Sequence, residues 1–177
     1  MSTITTYRRI HFDPLDPDPN TVDERDIAHA LSLLCRAGGH FEHFYSVAQH
    51  SINCAKEALA RGYSRRVTTA LLLHDASEAY LSDVTRPVKA HLSEYLTIEE
   101  RLQGVIYEKY LGSPLSPEEA LLVKEIDDTL LYHEFLNIMG ERVYSDERPL
   151  YADCAFATED FQKTENEFLS LLEALTK

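Results

Sequence analysis

Apolar residues recur at helical spacing along most of the chain after about residue 23. A hydroxyl residue followed three positions later by Glu or Gln, the capping box that opens many helices, occurs at Thr21-Val-Asp-Glu24, Ser46-Val-Ala-Gln49 and Thr97-Ile-Glu-Glu100. Ser116 followed by Pro117 is another typical helix start. These signals predict an all-α fold with about six main helices, over about 23–36, 46–61, 64–81, 97–112, 116–140 and 158–174.

The beginning of the chain lacks this helical pattern. Three prolines between His11 and Asn20 fix φ and remove backbone donors, which predicts an extended arm over residues 1–22, lying on another part of the protein. Nothing alternates with period two for long enough to require a sheet, although residues 143–151 are compatible with a short strand pair or an irregular loop. We expect residues 1–177 to form a single domain.

Composition and charge exclude several classes of function. The 177 residues include 17 Lys+Arg and 30 Asp+Glu, a net charge of −13, which disfavours binding to a nucleic-acid polymer. No stretch approaches the ~20 apolar residues that span a bilayer, and the polar start, Met1 to Arg9, lacks the apolar core of a signal peptide. We therefore expect a cytoplasmic protein without a membrane partner. Its three cysteines form no CxxC pair, which argues against a disulfide framework and a thiolate zinc site.

The informative residues are polar ones on apolar helix faces. His50, His74 and Asp127 occupy such positions, and Asp75 adjoins His74. Alone, each has a simpler explanation, since an inward His is often a hydrogen-bonded core residue and an inward Asp often pairs with an Arg. Together, two imidazoles and two carboxylates from three helices form a ligand set that one divalent metal ion would accept. Asp128 has Lys and Tyr at the i−4 and i+4 positions and is predicted to be the more exposed of the two aspartates.

Other catalytic motifs fail on spacing. His133-Glu134 begins an HExxH pattern, but residue 137 is Asn. Gly38-Gly39 is not followed by a Walker lysine, and the chain has no GxSxG nucleophile elbow. Zincin, P-loop and hydrolase-elbow chemistry are therefore not indicated.

The order His50, His74-Asp75, Asp127 is similar to the H…HD…D signature of the HD-domain metal-dependent phosphohydrolase superfamily. The resemblance covers most of the chain and extends to the segments FYSVAQHS, LLLHDASEAYLSDVTRPVK and LVKEIDDTLL. It implies an HD-type helical bundle in which these four residues bind one divalent ion, Co²⁺, Mn²⁺, Mg²⁺, Fe²⁺ or Zn²⁺. The inward register favours Asp127 over Asp128 as the last ligand.

The HDASE string further resembles that of the bacterial HD-domain 5′-deoxynucleotidases. This resemblance implies catalytic roles for Glu78 and Asp83 and a substrate-phosphate contact for Arg36. Lys89 and Lys124 resemble the lysines that related nucleoside triphosphate hydrolases direct at the distal phosphates. Judged from the residues alone, Glu78 could pair with a nearby cation, Arg36 could be a favourable charge at a helix C-terminus, and the lysines could be solvated surface charges.

The expected function is a divalent-metal-dependent phosphohydrolase that removes phosphate from (deoxy)nucleoside mono-, di- or triphosphates, with a small nucleotide as its partner. The alternatives are a triphosphohydrolase that releases tripolyphosphate and a catalytically idle metal or nucleotide sensor. Which of Glu78 and Asp83 is the acid stays open. His40 or His43 is a candidate for lining the substrate site, and a Tyr-rich strip including Tyr107, Tyr132 and Tyr151 would permit a homodimer.

Overall fold

The computed structural model describes residues 3–177, which are mostly helical, and the prediction of an all-α fold is confirmed. Within these residues lie eight α-helices: α1 (Glu24–Leu33), α2 (Val47–Ala60), α3 (Arg65–Leu72), α4 (Glu78–Leu81), α5 (Arg86–Lys89), α6 (Ser93–Leu111), α7 (Pro117–Met139) and α8 (Phe161–Thr176). A 3₁₀ helix, Arg36–Gly39, follows α1. A short antiparallel strand pair, β1 (Ile4–Thr5) and β2 (His11–Phe12), precedes α1. None of the helices described is both long and apolar enough to cross a membrane.

Two of the predicted helix starts are confirmed and two differ from the prediction. Ser46 opens α2 and Ser116 opens α7, each with the reciprocal bonds of a capping box. The cap of α1 is Asp23, which accepts from the backbone N–H of Arg25, rather than Thr21. Thr97 lies inside α6, where its hydroxyl donates to the carbonyl of Ser93, so the prediction that a helix begins there is wrong.

The helix predicted over residues 64–81 is interrupted after Leu72. The ring Nδ1 of His74 donates to the carbonyl of Leu71 at 2.6 Å, which competes with the backbone bond that a continuing helix would make. The side chain of Gln103 on α6 donates to the carbonyl of Leu73 and accepts from the N–H of Ser77. The second of these bonds satisfies the N–H of Ser77, and the chain resumes as α4.

The arm lies against the helices through one buried aromatic ring. Phe12 of β2 is fully buried and stacks on Tyr80 of α4 at a centroid distance of 4.1 Å. Arg101 and Lys109 of α6 donate to carbonyls of the arm. The β1–β2 pair within the predicted arm is a feature that the sequence pattern does not indicate. The first two residues of that arm, Met1 and Ser2, lie outside the described part of the chain.

Helix α2 is central and carries much of the core together with polar side chains that hold the loop before α8. That loop, 141–160, is irregular, including the segment 143–151. Buried Glu57 accepts from the backbone N–H groups of Tyr151 and Ala152 at 2.9 and 2.8 Å. The loop is thereby fixed against the face of α2 that also carries His50.

Candidate metal centre and adjoining cavity

Four side chains from three places in the fold bring their donor atoms together. His50 comes from α2, His74 and Asp75 from the turn between α3 and α4, and Asp127 from α7. The Nε2 atoms of the two histidines are 3.1 Å apart. His50 Nε2 lies 3.2 Å from Asp127 Oδ1 and 3.7 Å from Asp75 Oδ2, and His74 Nε2 lies 3.4 Å from Asp75 Oδ2. The structure therefore brings together the four residues predicted as metal ligands.

The hydrogen-bond partners of the two Nδ1 atoms show which nitrogen of each histidine ring faces the cluster. His50 Nδ1 is 2.5 Å from Glu134 Oε1, and His74 Nδ1 is 2.6 Å from the Leu71 carbonyl. Both partners only accept, so both Nδ1 atoms carry hydrogen, and Nε2 is the ring nitrogen of each histidine that faces the cluster. Two imidazole nitrogens and two carboxylate oxygens thus face one another. A divalent metal with nitrogen and oxygen ligands fits this donor set.

A thiol adjoins the same point. Cys54 lies one turn after His50 on α2, with its Sγ 3.5 Å from His50 Nε2, and His50, Cys54 and His74 form a cluster that could hold a metal ion. Burial raises the pKa of the Cys54 thiol to about 11, so at neutral pH this group is protonated. The sequence did not indicate Cys54 as a candidate ligand.

The two adjacent aspartates face different partners. Asp127 faces the histidines, as its register predicts, whereas the carboxylate of Asp128 binds Arg86 at 2.7 Å, Lys124 at 2.7 Å and the Tyr144 hydroxyl at 3.1 Å. The prediction that Asp128 is the more exposed of the two is wrong, because its side chain is 12% exposed against 19% for Asp127. The difference arises because Arg86 and Tyr144 cover Asp128.

Arg36 lies directly against the cluster rather than at the end of α1. Its guanidinium donates to Asp75 Oδ2 at 3.1 Å and to Glu134 Oε2 at 3.3 Å, and is 3.8 Å from Asp127 Oδ1. The next residues, Ala37 to Gly39, all have positive φ, which reverses the chain immediately after Arg36. This turn holds Arg36 between the acidic cluster and a cavity.

That cavity, of about 510 Å³, opens beside the four predicted ligands. Its charged lining consists of Arg36, Asp75, Glu78, Asp83, Arg86, Lys89 and Asp127. Its apolar lining includes Phe41, Val84, Pro87, Leu131, Phe135 and Met139. His40 lines the cavity as well, whereas His43 donates to the Phe156 carbonyl elsewhere.

The two predicted catalytic carboxylates differ in environment. Glu78 is buried, and its burial, together with the nearby charges of Asp75 and Asp83, raises its pKa to about 9. Its Oε1 lies 3.3 Å from the ammonium of Lys89, and its Oε2 is buried without a hydrogen-bond partner. Asp83 is only half-buried, and burial raises its pKa as well. Glu78 thus holds a proton at neutral pH and is the better proton donor of the two.

Only one of the two lysines predicted to bind phosphate lines the cavity. Lys89 lines the cavity, where its ammonium bridges Glu78 and Glu99. Lys124 is not among the lining residues; its side chain is 65% exposed and its ammonium binds Asp128. A contact between Lys124 and a substrate in this cavity is not supported by its position.

Sequence reasoning missed two charged residues at the site. Glu134 is fully buried beside His50 and Arg36, and Arg86 binds both Asp127 and Asp128. Glu134 follows Asp127 by seven residues, two helical turns, so its position on the same face of α7 was a usable signal. Arg86 lies on the short helix α5, whose sequence gives no periodic signal.

Two bacterial proteins are similar to this chain. YfdR of Escherichia coli K12, named only as an uncharacterized protein, is 39% identical over 136 residues, which are 76% of this chain and 71% of YfdR. The uncharacterized protein RCAP_rcc00048 of Rhodobacter capsulatus is 38% identical over 104 residues, which are 55% of this chain and 53% of that protein. A scan against protein-family models gives no match. The extent of the first similarity shows that the chain belongs to the same family as YfdR.

Proposed function

We propose that this protein is a divalent-metal-dependent phosphohydrolase that removes the phosphate from nucleoside monophosphates. The observation that carries the proposal is the convergence of two imidazole nitrogens and two carboxylates beside a cavity that Arg36 also lines. A divalent ion held by His50, His74, Asp75 and Asp127 would supply the Lewis acidity that activates water and polarises a phosphoryl oxygen.

The chain's own residues would bind the phosphate and move the protons. Arg36 presents a planar guanidinium suited to two parallel bonds with phosphate oxygens. Glu78, protonated at neutral pH, would donate its proton to the leaving alcohol oxygen. Asp83, on the same cavity wall, would accept a proton from the attacking water. This assignment follows from the different burial of the two carboxylates.

The charge of the cavity favours a monophosphate. Three cations, Arg36, Arg86 and Lys89, and four carboxylates, Asp75, Glu78, Asp83 and Asp127, line it. With Glu78 protonated, the lining is neutral, and a divalent ion would bring it to +2. That charge matches a phosphomonoester dianion, whereas a triphosphate carries about twice that negative charge and would need further free cations. Lys124, the remaining candidate cation, lies outside the cavity lining.

The apolar wall supports a nucleoside as the alcohol part of the ester. Phe41, Phe135 and Met139 offer aromatic and thioether surface in the same cavity, which suits the face of a nucleobase. A cavity of about 510 Å³ has the volume usual for small-molecule sites. The wall offers few polar side chains to read a base edge, so we expect weak discrimination among bases.

The test is an assay of metal-stripped protein resupplied singly with Mn²⁺, Co²⁺, Mg²⁺ or Zn²⁺. Substrates would be all ribo- and deoxyribonucleoside mono- and triphosphates, with products separated by ion-exchange chromatography. We expect orthophosphate from monophosphates, loss of turnover in Asp75→Asn, and unchanged turnover in Lys124→Ala. Turnover of triphosphates alone would refute the monophosphate assignment. Turnover that persists in Asp75→Asn, or metal binding without any turnover, would refute the catalytic proposal and favour a sensor.

A further inference from the structure

Glu134 joins the two parts of the site in a way that the mechanism above does not use. It lies on α7, is fully buried, and has both carboxylate oxygens engaged. Oε1 accepts from His50 Nδ1 at 2.5 Å, and Oε2 accepts from Arg36 Nε at 3.3 Å. One buried carboxylate therefore contacts both a predicted metal ligand and the predicted phosphate-binding arginine.

We propose that Glu134 is a positioning residue that sets both the metal affinity of His50 and the phosphate affinity of Arg36. The proposal rests on the proposed function for its phosphate half, whereas its metal half concerns binding alone. Glu134 acts through its two neighbours and does not line the cavity.

On the His50 side, the carboxylate fixes the ring. An acceptor at Nδ1 holds the hydrogen on that nitrogen, so the lone pair of Nε2 faces His74 and Asp127. Carboxylates that accept from a ligating histidine orient the ring and raise its basicity, and their loss typically weakens metal binding by about 10–100-fold. The buried position of both partners excludes water as a substitute acceptor.

On the Arg36 side, the same carboxylate binds the inner edge of the guanidinium. With Nε bonded to Glu134, the terminal nitrogens point toward Asp75, Asp127 and the cavity. An anchored planar guanidinium loses less freedom when it binds an oxyanion, because its orientation is already fixed. Removing the Glu134 carboxylate should therefore weaken phosphate binding, although Glu134 itself does not contact the phosphate.

Glu134→Gln is the informative substitution because it keeps the shape and changes only the bonding capacity. An amide offers one acceptor oxygen, whereas His50 and Arg36 both present donors. Whichever way the amide turns, its NH₂ group faces a donor and one of the two contacts is lost. A matched control is Glu57→Gln. Glu57 is a second fully buried glutamate, on α2, and its partners, Arg61 and the backbone of Tyr151 and Ala152, lie outside the cavity lining.

The experiment titrates Mn²⁺ into the metal-free full-length proteins by calorimetry, and then titrates inorganic phosphate into the same proteins at saturating metal. Thermal unfolding is recorded in parallel. We expect Glu134→Gln to weaken metal binding at least 10-fold and phosphate binding at least 5-fold. We expect Glu57→Gln to lower thermal stability and to leave both affinities within 2-fold of the wild type.

Wild-type metal affinity in Glu134→Gln would overturn the proposal, as would an equal loss of affinity in Glu57→Gln. A wild type that binds metal but hydrolyses no nucleotide would refute the proposed function alone. Should Glu134→Gln fail to fold, nitrogen-15 spectra of the wild-type histidines still decide. Hydrogen on Nδ1 of His50 with a strongly deshielded proton supports the proposal, and hydrogen on Nε2 alone overturns it.

Discussion

Replacing Glu78 with Gln should stabilise the metal-stripped protein, although the proposed mechanism requires the carboxyl group. Glu78 is buried, and its pKa is raised from 4.5 to about 9, chiefly by burial and then by the charges of Asp75 and Asp83. The folded protein thus holds a proton that the unfolded chain releases above pH 4.5. The contribution of this proton to the free energy of unfolding is fully present below pH 4.5 and is lost as pH rises through about 9.

The size of the effect follows from the distance between the working pH and the unfolded pKa. At pH 7 the unfolded chain is 2.5 pH units above the pKa of 4.5. It gains the corresponding free energy of ionisation, which the protonated folded state does not gain. At ~1.4 kcal/mol per unit, this is a loss of about 3 kcal/mol for the wild type at pH 7, and about 2 kcal/mol at pH 6. Gln has no ionisation to lose, so the variant should be more stable by about these amounts.

The assay is urea unfolding of both proteins in chelator at several pH values between 5.5 and 8.5. The difference in the free energy of unfolding should grow with pH, and the matched variant Glu100→Gln, on the exposed face of α6, should show no such growth. A difference between Glu78→Gln and the wild type that stays constant with pH would refute the reasoning. It would mean that Glu78 is ionised in the folded protein and paired with Lys89.

Three further predictions compare the effects of substituting individual side chains at or near the site. Asp127→Asn should weaken Co²⁺ binding at least 10-fold, because it removes the negative charge of a carboxylate whose oxygen lies 3.2 Å from His50 Nε2, whereas Asp128→Asn should change it less than 3-fold; equal losses in a spectroscopic titration would contradict this. Cys54→Ser should leave Mn²⁺ affinity within 3-fold, since the buried thiol is protonated at neutral pH, and a thiolate-to-cobalt absorption band in the wild type would show instead that sulfur ligates. Lys124→Ala should leave KM for monophosphates within 2-fold, because its ammonium binds Asp128 outside the cavity lining; a large rise would return this lysine to the site.

The parts of the fold that local sequence could predict are those controlled by local bonds. Helices α2 and α7 begin at their capping serines because Ser46 and Ser116 bond within their own first turns. The contact that supports the break after Leu72 could not be predicted, because it comes from Gln103, about thirty residues further along the chain. Gln103 accepts from the free N–H of Ser77 and adds a second donor to the carbonyl of Leu73. Three consecutive leucines favour a continuous helix locally, and a tertiary contact overrides that preference.

In the candidate site, too, local sequence predicts some features, whereas others depend on contacts from distant segments. The inward register of His50 and Asp127 follows from the apolar neighbours one turn away, and the structure brings both to one point. The burial of Asp128 does not follow from its register, because Arg86 and Tyr144 reach it from other segments. Glu134 lies two turns after Asp127 on the same face of α7, and this spacing is a signal that the incomplete HExxH pattern at His133-Glu134 does not contain.

The pairing of every cation in the cavity explains why the proposed function requires a metal ion. Arg36 binds Asp75 and Glu134, Arg86 binds Asp127 and Asp128, and Lys89 binds Glu78 and Glu99. None is left unpaired to attract an anion, and the chain as a whole carries a charge of −13. A divalent ion that binds the aspartates would relieve their hold on Arg36 and Arg86 and add positive charge at the same point. Metal and phosphate should therefore bind cooperatively, each raising the affinity for the other by the same factor.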